Sequence, residues 1–300
     1  MVELAKTNPK VCAITAAMPG GTGLLDLMRR YPERLFDVGI AEEHAVSMAG
    51  GLAKQGMVPV IALYSTFLQR AYDMILQDVG MLGLHTVFAI DRAGLVGEDG
   101  ETHHGIYDVG FLRHVPGLRI LCPATYDELR NMLCWAVQKQ NGPVAIRYPR
   151  GSQRVQIPSN WNEPSDGFLQ SYGDGADVAI VTYGNMTDNA LKAALILHGK
   201  NMKVKVVRLL QVSPIPIDEL CKAVSGSRQI LILEELAANC GIRQAVACGL
   251  ADVFPEKRIF GLDLGENYVT HGNVEALYAR YGLDADHIAQ YIQEVLAREN

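Results

Sequence analysis

The sequence predicts an α/β protein made of two open parallel-sheet α/β domains. Two observations carry that reading. Short apolar runs alternate with helical patterns, which is the signature of parallel βαβ units. The alternation is interrupted once, by the polar, proline-containing stretch GSQRVQIPSNWNEPSDG at 151–167, and then resumes. A chain of 300 residues also has room for two domains of about 150 residues each. The division expected is a first domain at 1–152, a linker at 153–167 and a second domain at 168–300.

In the first domain VCAIT at 11–15 reads as a strand, and LLDLMRRY, after GGTG at 20–23, as a helix. LFDVG is a strand, and AEEHAVSMAGGLAKQG a helix with small residues at Ala45, Ala49 and Gly50. PVIALY at 59–64 is a strand, followed by one long helix, STFLQRAYDMILQDVGML, with Ser65 or Thr66 as its N-cap. HTVFAID at 85–91 and LRILCPA at 118–124 are strands. TYDELRNMLCWAVQKQ is a helix capped by Thr125 or Asp127, and PVAIRYP at 143–149 closes the series. The second domain repeats the pattern through DVAIVTYG, NALKAALILHGK, VKVVRLL, IDELCKAVSG, QILILEEL, GIRQAVACGLADVF and RIFGLDL. It ends in two helical stretches, VEALYARYG and ADHIAQYIQEVLAREN.

The composition narrows the function classes. Hydrophobic residues are 49% and charged residues 20% of the chain, an ordinary globular balance. A net charge of −6 advertises no basic face for nucleic acid or an anionic membrane surface. No apolar run approaches the roughly 18 residues of a membrane span, and MVELAKTNPK has no apolar core of a secretory signal. The six cysteines contain no C-x-x-C pair and are expected to be reduced, mostly buried thiols of a cytoplasmic protein. No Cys/His spacing suggests a metal site.

Sites in open α/β sheets lie at the carboxyl ends of strands, and four stretches fall there. In FDVGIAEEHAVSMAGG, at 36–51, two adjacent acids open a helix just after a strand. Glu42 and Glu43 are either first-turn acids interacting with the helix dipole, or one of them faces inward. Small and apolar neighbours (Ile40, Ala41, Ala45, Val46) favour an inward Glu42, whose buried carboxyl group could hold or shuttle a proton. In YSTFLQRAYD, Phe67 and Arg70 share a helix face. They are either core and an Arg70–Asp73 surface pair, or an aromatic platform beside a cation for phosphate. The long glycine-rich loop after Asp91 brings Asp99, His103 and His104, suited to acid/base work or simply a solvated loop. RYPRG, at 147–151, ends a strand with two arginines and aims Arg150 at a ligand crevice. Together these point to an enzyme acting on a small anionic substrate.

VGIAEEHAV, YSTFLQRAYD, IDRAGLVGEDGETHHG and RYPRG resemble the second half of the 1-deoxy-D-xylulose-5-phosphate synthases, a branch of the thiamine-diphosphate-dependent transketolase family. The resemblance runs from Val11 to Gly151 without apparent gaps, and VTHGNVEALYARYGLDADHIA is similar to the family's C-terminal domain. It implies a pyrimidine-binding domain followed by a transketolase C-terminal-like domain. It implies that Glu42 hydrogen-bonds N1′ of the cofactor's aminopyrimidine, that Phe67 stacks on that ring and that Tyr64 lines the same pocket. It implies that Arg70 and Arg150 grip the phosphate of glyceraldehyde 3-phosphate, and that Asp99 and His103 orient substrate and transfer protons. The implied reaction condenses pyruvate with glyceraldehyde 3-phosphate and releases carbon dioxide. Family members are dimers.

Two departures qualify the likeness. The family's Gly-Asp-Gly…Asn segment, which holds magnesium and the diphosphate on an N-terminal half, has no counterpart here; EDGE at 98–101 sits in a different loop. The chain is therefore expected to be half of an active site that needs an N-terminal half or partner subunit. The alternatives are the second subunit of a split transketolase, a 2-oxoacid dehydrogenase beta chain, or a non-catalytic dimerisation module. Further on, LEELAANCGIRQAV stands where the family is glycine-rich.

Overall fold

Apolar β-branched runs become the buried centres of two sheets. A computed structural model describes residues 1–157 and 167–298. In the first half, α1 (Val2–Thr7) leads into β1 (Val11–Thr15), α2 (Leu25–Arg30), β2 (Leu35–Asp37), α3 (Glu42–Lys54) and β3 (Val58–Tyr64). Then come α4 (Ser65–Leu68), α5 (Tyr72–Met74), β4 (Val87–Asp91), α6 (Asp108–Leu112), β5 (Arg119–Leu121), α7 (Tyr126–Lys139) and β6 (Val144–Arg147). The second half holds β7 (Leu169–Tyr172), β8 (Val178–Tyr183), α8 (Met186–His198), β9 (Val204–Leu209), β10 (Gln211–Ser213) and α9 (Ile217–Val224). It closes with β11 (Gln229–Leu233), α10 (Arg243–Ala251), β12 (Arg258–Leu262), α11 (Val274–Arg280) and α12 (Ala285–Ala297).

Among the described residues the first sheet runs β10-β5-β6-β4-β3-β1-β2 and the second β12-β11-β8-β9-β7. Every residue of β1, β3, β8 and β11 is buried, as strands covered on both faces require. The prediction of parallel sheets holds for the interiors. At the edges the structure differs: β7 runs antiparallel to β9, and β10 antiparallel to β5. Both strands are short and lack an apolar run, so neither stood out in the sequence. β10 also carries a piece of the second half onto the first sheet. One apolar cluster joins Ile14, Ile61 and Phe88 to Val181, Val207 and Ile232. A fully buried ion pair reinforces the junction, with Arg208 Nη1 donating to Glu128 Oε2 at 2.7 Å.

The long helix expected after Tyr64 is broken. α4 gives way to a 3₁₀ turn at Gln69–Ala71, then α5, then a π turn at Ile75–Gly80. Neither Ser65 nor Thr66 caps it; Tyr64 is the N-cap residue and makes no side-chain cap bond. α3 packs close on the π turn, where a Cβ on Gly50 would stand 2.9 Å from Asp78 O. For α7 the structure chooses Thr125, whose Oγ1 accepts from Glu128 N. Most of the expected linker lies outside the described residues, which include only 153–157 and 167 of it. The cysteines are less buried than expected: Cys12 and Cys122 are buried, Cys134, Cys221 and Cys240 half-buried, and Cys248 exposed. No helix among the described residues is long and apolar enough to cross a membrane.

Candidate active site

The strand-to-helix turn at 37–42 is built by its own aspartate. Asp37 Oδ1 accepts the backbone N–H of Ala17 at 2.7 Å and of Gly39 at 3.0 Å. Gly39 takes φ +72°, a conformation that costs glycine little, and α3 starts behind it without a side-chain cap. This aims Glu42 inward, to 2% exposure, while Glu43 is half-buried. The surroundings of Glu42 are not purely apolar, as its neighbours in sequence had suggested. Arg70 Nη1 donates to Glu42 Oε1 at 2.8 Å. The same observation replaces the Arg70–Asp73 pair, since Asp73 instead accepts from Gln77. The broken helix places Arg70 where it can reach α3.

Aromatic rings converge beside this pair. Tyr64 and Phe67 stack with centroids 5.8 Å apart and planes 24° apart. His103 meets Phe67 edge-on at 5.3 Å, and the Arg70 guanidinium lies 4.9 Å from the Phe67 centroid. An open cavity of about 570 Å³ is lined by Thr66, Phe67, Gln69, Arg70, Tyr107 and Tyr268. A flat aromatic wall next to a buried carboxylate suits the aminopyrimidine half of thiamine diphosphate, so the residues present fit that group.

The loop leaving β4 supplies the remaining charges. Asp99 Oδ2 accepts from Arg92 Nη1 at 2.9 Å and from Arg150 Nη1 at 2.8 Å. Arg150 Nη1 also reaches Val96 O, and the Arg92 guanidinium lies 3.8 Å over the Tyr64 ring. Arg92 Nε is buried without a hydrogen-bond partner among the described residues. A cavity of about 280 Å³ is lined by Asp91, Arg92, Tyr148, Arg150 and Arg154. Burial raises the Asp91 carboxyl from 3.8 to about 6, against the pull of Arg92 and Arg150. The loop walls both cavities, since Arg92 lines the second and Glu101 and Thr102 line the first.

The two histidines have different duties. His103 is half-buried at the aromatic cluster, with Nδ1 2.8 Å from Thr102 Oγ1. His104 is 1% exposed; its Nδ1 accepts Val96 N–H, so Nε2 carries the proton and donates to Thr270 O at 3.2 Å. Burial lowers the His104 pKa, which keeps it neutral in this structural role. The two arginines of RYPRG also divide. Arg150 is at the crevice, whereas Arg147 is buried in a bidentate pair with Asp108 at 2.9 and 3.2 Å.

The structure thus brings Glu42, Tyr64, Phe67, Arg70 and His103 into one cluster and joins Asp99 to Arg150 beside it. Sequence reasoning missed Asp91 and Arg92. Their position, at and just after a strand's carboxyl end, was the available signal. Among the described residues no three His, Cys, Asp or Glu side chains converge as metal ligands.

The family model described as transketolase, pyrimidine binding domain, matches residues 1–156, and that described as transketolase, C-terminal domain, matches 170–288. A curated 1-deoxy-D-xylulose-5-phosphate synthase from Clostridium acetobutylicum is 41% identical over 97% of this chain and 47% of its own length. One from Thermomicrobium roseum is 44% identical over 99% and 47%. The chain spans about half the length of these relatives. A solved structure described as a split gene transketolase, inactive beta4 tetramer, superposes with TM-score 0.84 at 28% identity, covering 99% of this chain and 95% of that one.

Proposed function

The chain belongs to the transketolase family, and from that premise we propose that it forms the pyrimidine-binding and C-terminal half of a thiamine-diphosphate-dependent 1-deoxy-D-xylulose-5-phosphate synthase. The observation that carries the reading is the buried Glu42 carboxylate tied at 2.8 Å to the arginine of an aromatic-walled cleft. The reaction condenses pyruvate with glyceraldehyde 3-phosphate and releases carbon dioxide. An N-terminal half or partner subunit completes the site and holds magnesium and the diphosphate. The assembly is a cytoplasmic homodimer of such units, with the pyrimidine-binding domain at 1–152 and the C-terminal domain at 168–300.

Thiamine diphosphate, when bound, supplies an electron sink for carbon–carbon bond cleavage and formation. Everything else falls to side chains of this chain and its partner. Arg70 takes Glu42 Oε1, and Oε2 is assigned to hold the proton at N1′ of the aminopyrimidine. Phe67 offers its face to that ring and Tyr64 backs it at stacking distance. Arg150 and Arg70 grip the aldehyde's phosphate; guanidinium forks match its oxygens. Both arginines already hold carboxylates, so phosphate competes with Asp99 for Arg150. Asp99, which keeps Arg92 as its partner in that exchange, orients the aldehyde with His103 beside it and moves its proton.

A split-gene transketolase subunit is the second reading, favoured by the end-to-end superposition on such a protein. One experiment separates the outcomes. Product formation from pyruvate and glyceraldehyde 3-phosphate, with thiamine diphosphate and magnesium, is assayed for the chain alone and with a separately expressed N-terminal half. Turnover only in the mixture is expected. Turnover with sugar-phosphate ketol donors but not pyruvate would move the assignment to a split transketolase, and no turnover with either would overturn the enzymatic reading.

A further inference from the structure

Two buried acids leave β11 in succession, Glu234 at 5% and Glu235 at 7% exposure. They serve different partners. Glu234 stays within the second half: Oε1 accepts Tyr183 Oη and Ile242 N–H, both at 2.7 Å, and Oε2 accepts Arg243 N–H at 3.3 Å. Glu235 turns to the first half. Its Oε1 accepts Leu95 N–H at 2.8 Å and Tyr278 Oη at 2.8 Å. Leu95 belongs to the loop that carries Arg92, Asp99 and His103. The loop backbone is pressed on this carboxyl group, since a Cβ on Gly94 would stand 2.6 Å from Glu235 Cδ. Gly94 has φ +84°, so the close approach and the left-handed turn demand glycine together.

Three weaker ties run from the second half to the same loop or its end. Gly272 N–H donates to Gly97 O at 3.3 Å, His104 Nε2 donates to Thr270 O, and Ala237 N–H donates to Ile106 O at 3.1 Å. Glu235 differs from them in being a side chain of the second half that is committed to the loop's base. A carboxylate at this depth is tolerated only with donors in place, and one donor to Glu235 among the described residues is the loop itself.

We propose that Glu235 is a positioning residue for the reaction assigned above: through Leu95 it fixes the loop so that Asp99 meets Arg92 and Arg150 beside Tyr64. The inference rests on that functional reading for its catalytic consequence. It makes the second half a template for the first half's active-site loop. A displacement of about 1 Å at reacting groups costs on the order of a hundredfold in rate, so loss of this tether is expected to matter although Glu235 touches no substrate.

The test compares Glu235→Ala with Glu234→Ala, its equally buried neighbour. Amide hydrogen exchange read by mass spectrometry on the chain is expected to accelerate over 94–105 in Glu235→Ala and to stay at the parent rate there in Glu234→Ala. In the assembled enzyme, Glu235→Ala is expected to raise KM for glyceraldehyde 3-phosphate on the order of tenfold, with KM for pyruvate little changed. Glu235→Gln keeps an acceptor for Leu95 N–H and is expected to restore both readouts. A loop still protected in Glu235→Ala, or equally exposed by Glu234→Ala, overturns the proposal. So does an equal rise of both KM values. Should Glu235→Ala not fold, Tyr278→Phe, which removes the hydroxyl holding the carboxylate, carries the same exchange comparison. If the parent assembly shows no turnover, the functional reading fails while the exchange result still decides the tether.

Discussion

The carboxyl ends of the two sheets both gather acids, and they treat them in opposite ways. At the first sheet, Glu42 and Asp99 hold guanidinium groups that line open cavities. Arg70 and Arg150 are about half exposed. At the second sheet, Glu234 and Glu235 are closed in by tyrosine hydroxyls and backbone N–H groups. Burial pushes both of their carboxyl groups up, partly offset by those donors. The difference separates a site from its scaffold. Ion partners at a solvent-facing crevice can be exchanged for a ligand, whereas a buried hydrogen-bonded network holds geometry.

The largest effect of a single substitution is expected at Glu42. Glu42→Gln keeps the shape of the side chain and removes the ionisable carboxyl. In the assembled enzyme it is expected to lower kcat by roughly a hundredfold to ten-thousandfold, the range of a proton-transfer group, with an unchanged circular dichroism spectrum. Retained turnover would show that the first sheet's acid is no more chemical than the second's.

On the scaffold side stands the Asp108–Arg147 pair, buried between α6 and β6. Arg147→Ala leaves Asp108 charged and unpaired, and such losses cost about 3–5 kcal/mol. The urea midpoint should fall accordingly. An unchanged midpoint would mean that buried ion pairs here are as dispensable as surface ones.

Arg150→Ala is expected to be milder and selective. Charge-assisted hydrogen bonds contribute about 1.5–3 kcal/mol, so KM for glyceraldehyde 3-phosphate should rise about ten- to a hundredfold while KM for pyruvate hardly moves. Equal effects on both substrates would remove the phosphate assignment.

The smallest effect is a pH slope from Asp91. Its carboxyl titrates near 6 in the native state and near 3.8 in the unfolded chain. Between those values the native state holds the extra proton, so the contribution of Asp91 to stability falls as pH rises through the window. Asp91→Asn should therefore gain stability over the parent at pH 7 relative to pH 4.5, read from denaturant midpoints at both. His104 acts with the opposite sign. Its lowered pKa costs stability as pH falls below about 6.5, and this part of the profile should survive in Asp91→Asn.

Much of the architecture was legible in the chain. Apolar runs such as VCAIT and QILILEEL became buried strands because a sheet covered on both faces needs no polar alternation. Edge strands β7 and β10 were invisible because their pairing is made by backbone against a neighbour, with little apolar signal of their own. The helix after Tyr64 was overread: its composition is helical throughout, but packing against α3 at Gly50 and the site accompanies a π turn that propensity does not encode. At the candidate site, residue types and strand-end positions drew attention to Glu42, Asp99, His103, His104 and Arg150 and left Phe67 and Arg70 open between core and site; the family resemblance supplied the roles. Arg92 escaped because one arginine beside many glycines carries no period.

Hydrophobic periodicity and turn residues are local properties, so two α/β halves and the chemical inventory at their strand ends were legible in the chain. Which groups meet follows from packing. Glu42 pairs with an arginine 28 positions away, and Glu235 with a backbone N–H 140 positions away. Such pairings are fixed by how the sheets pack, and no local pattern records them.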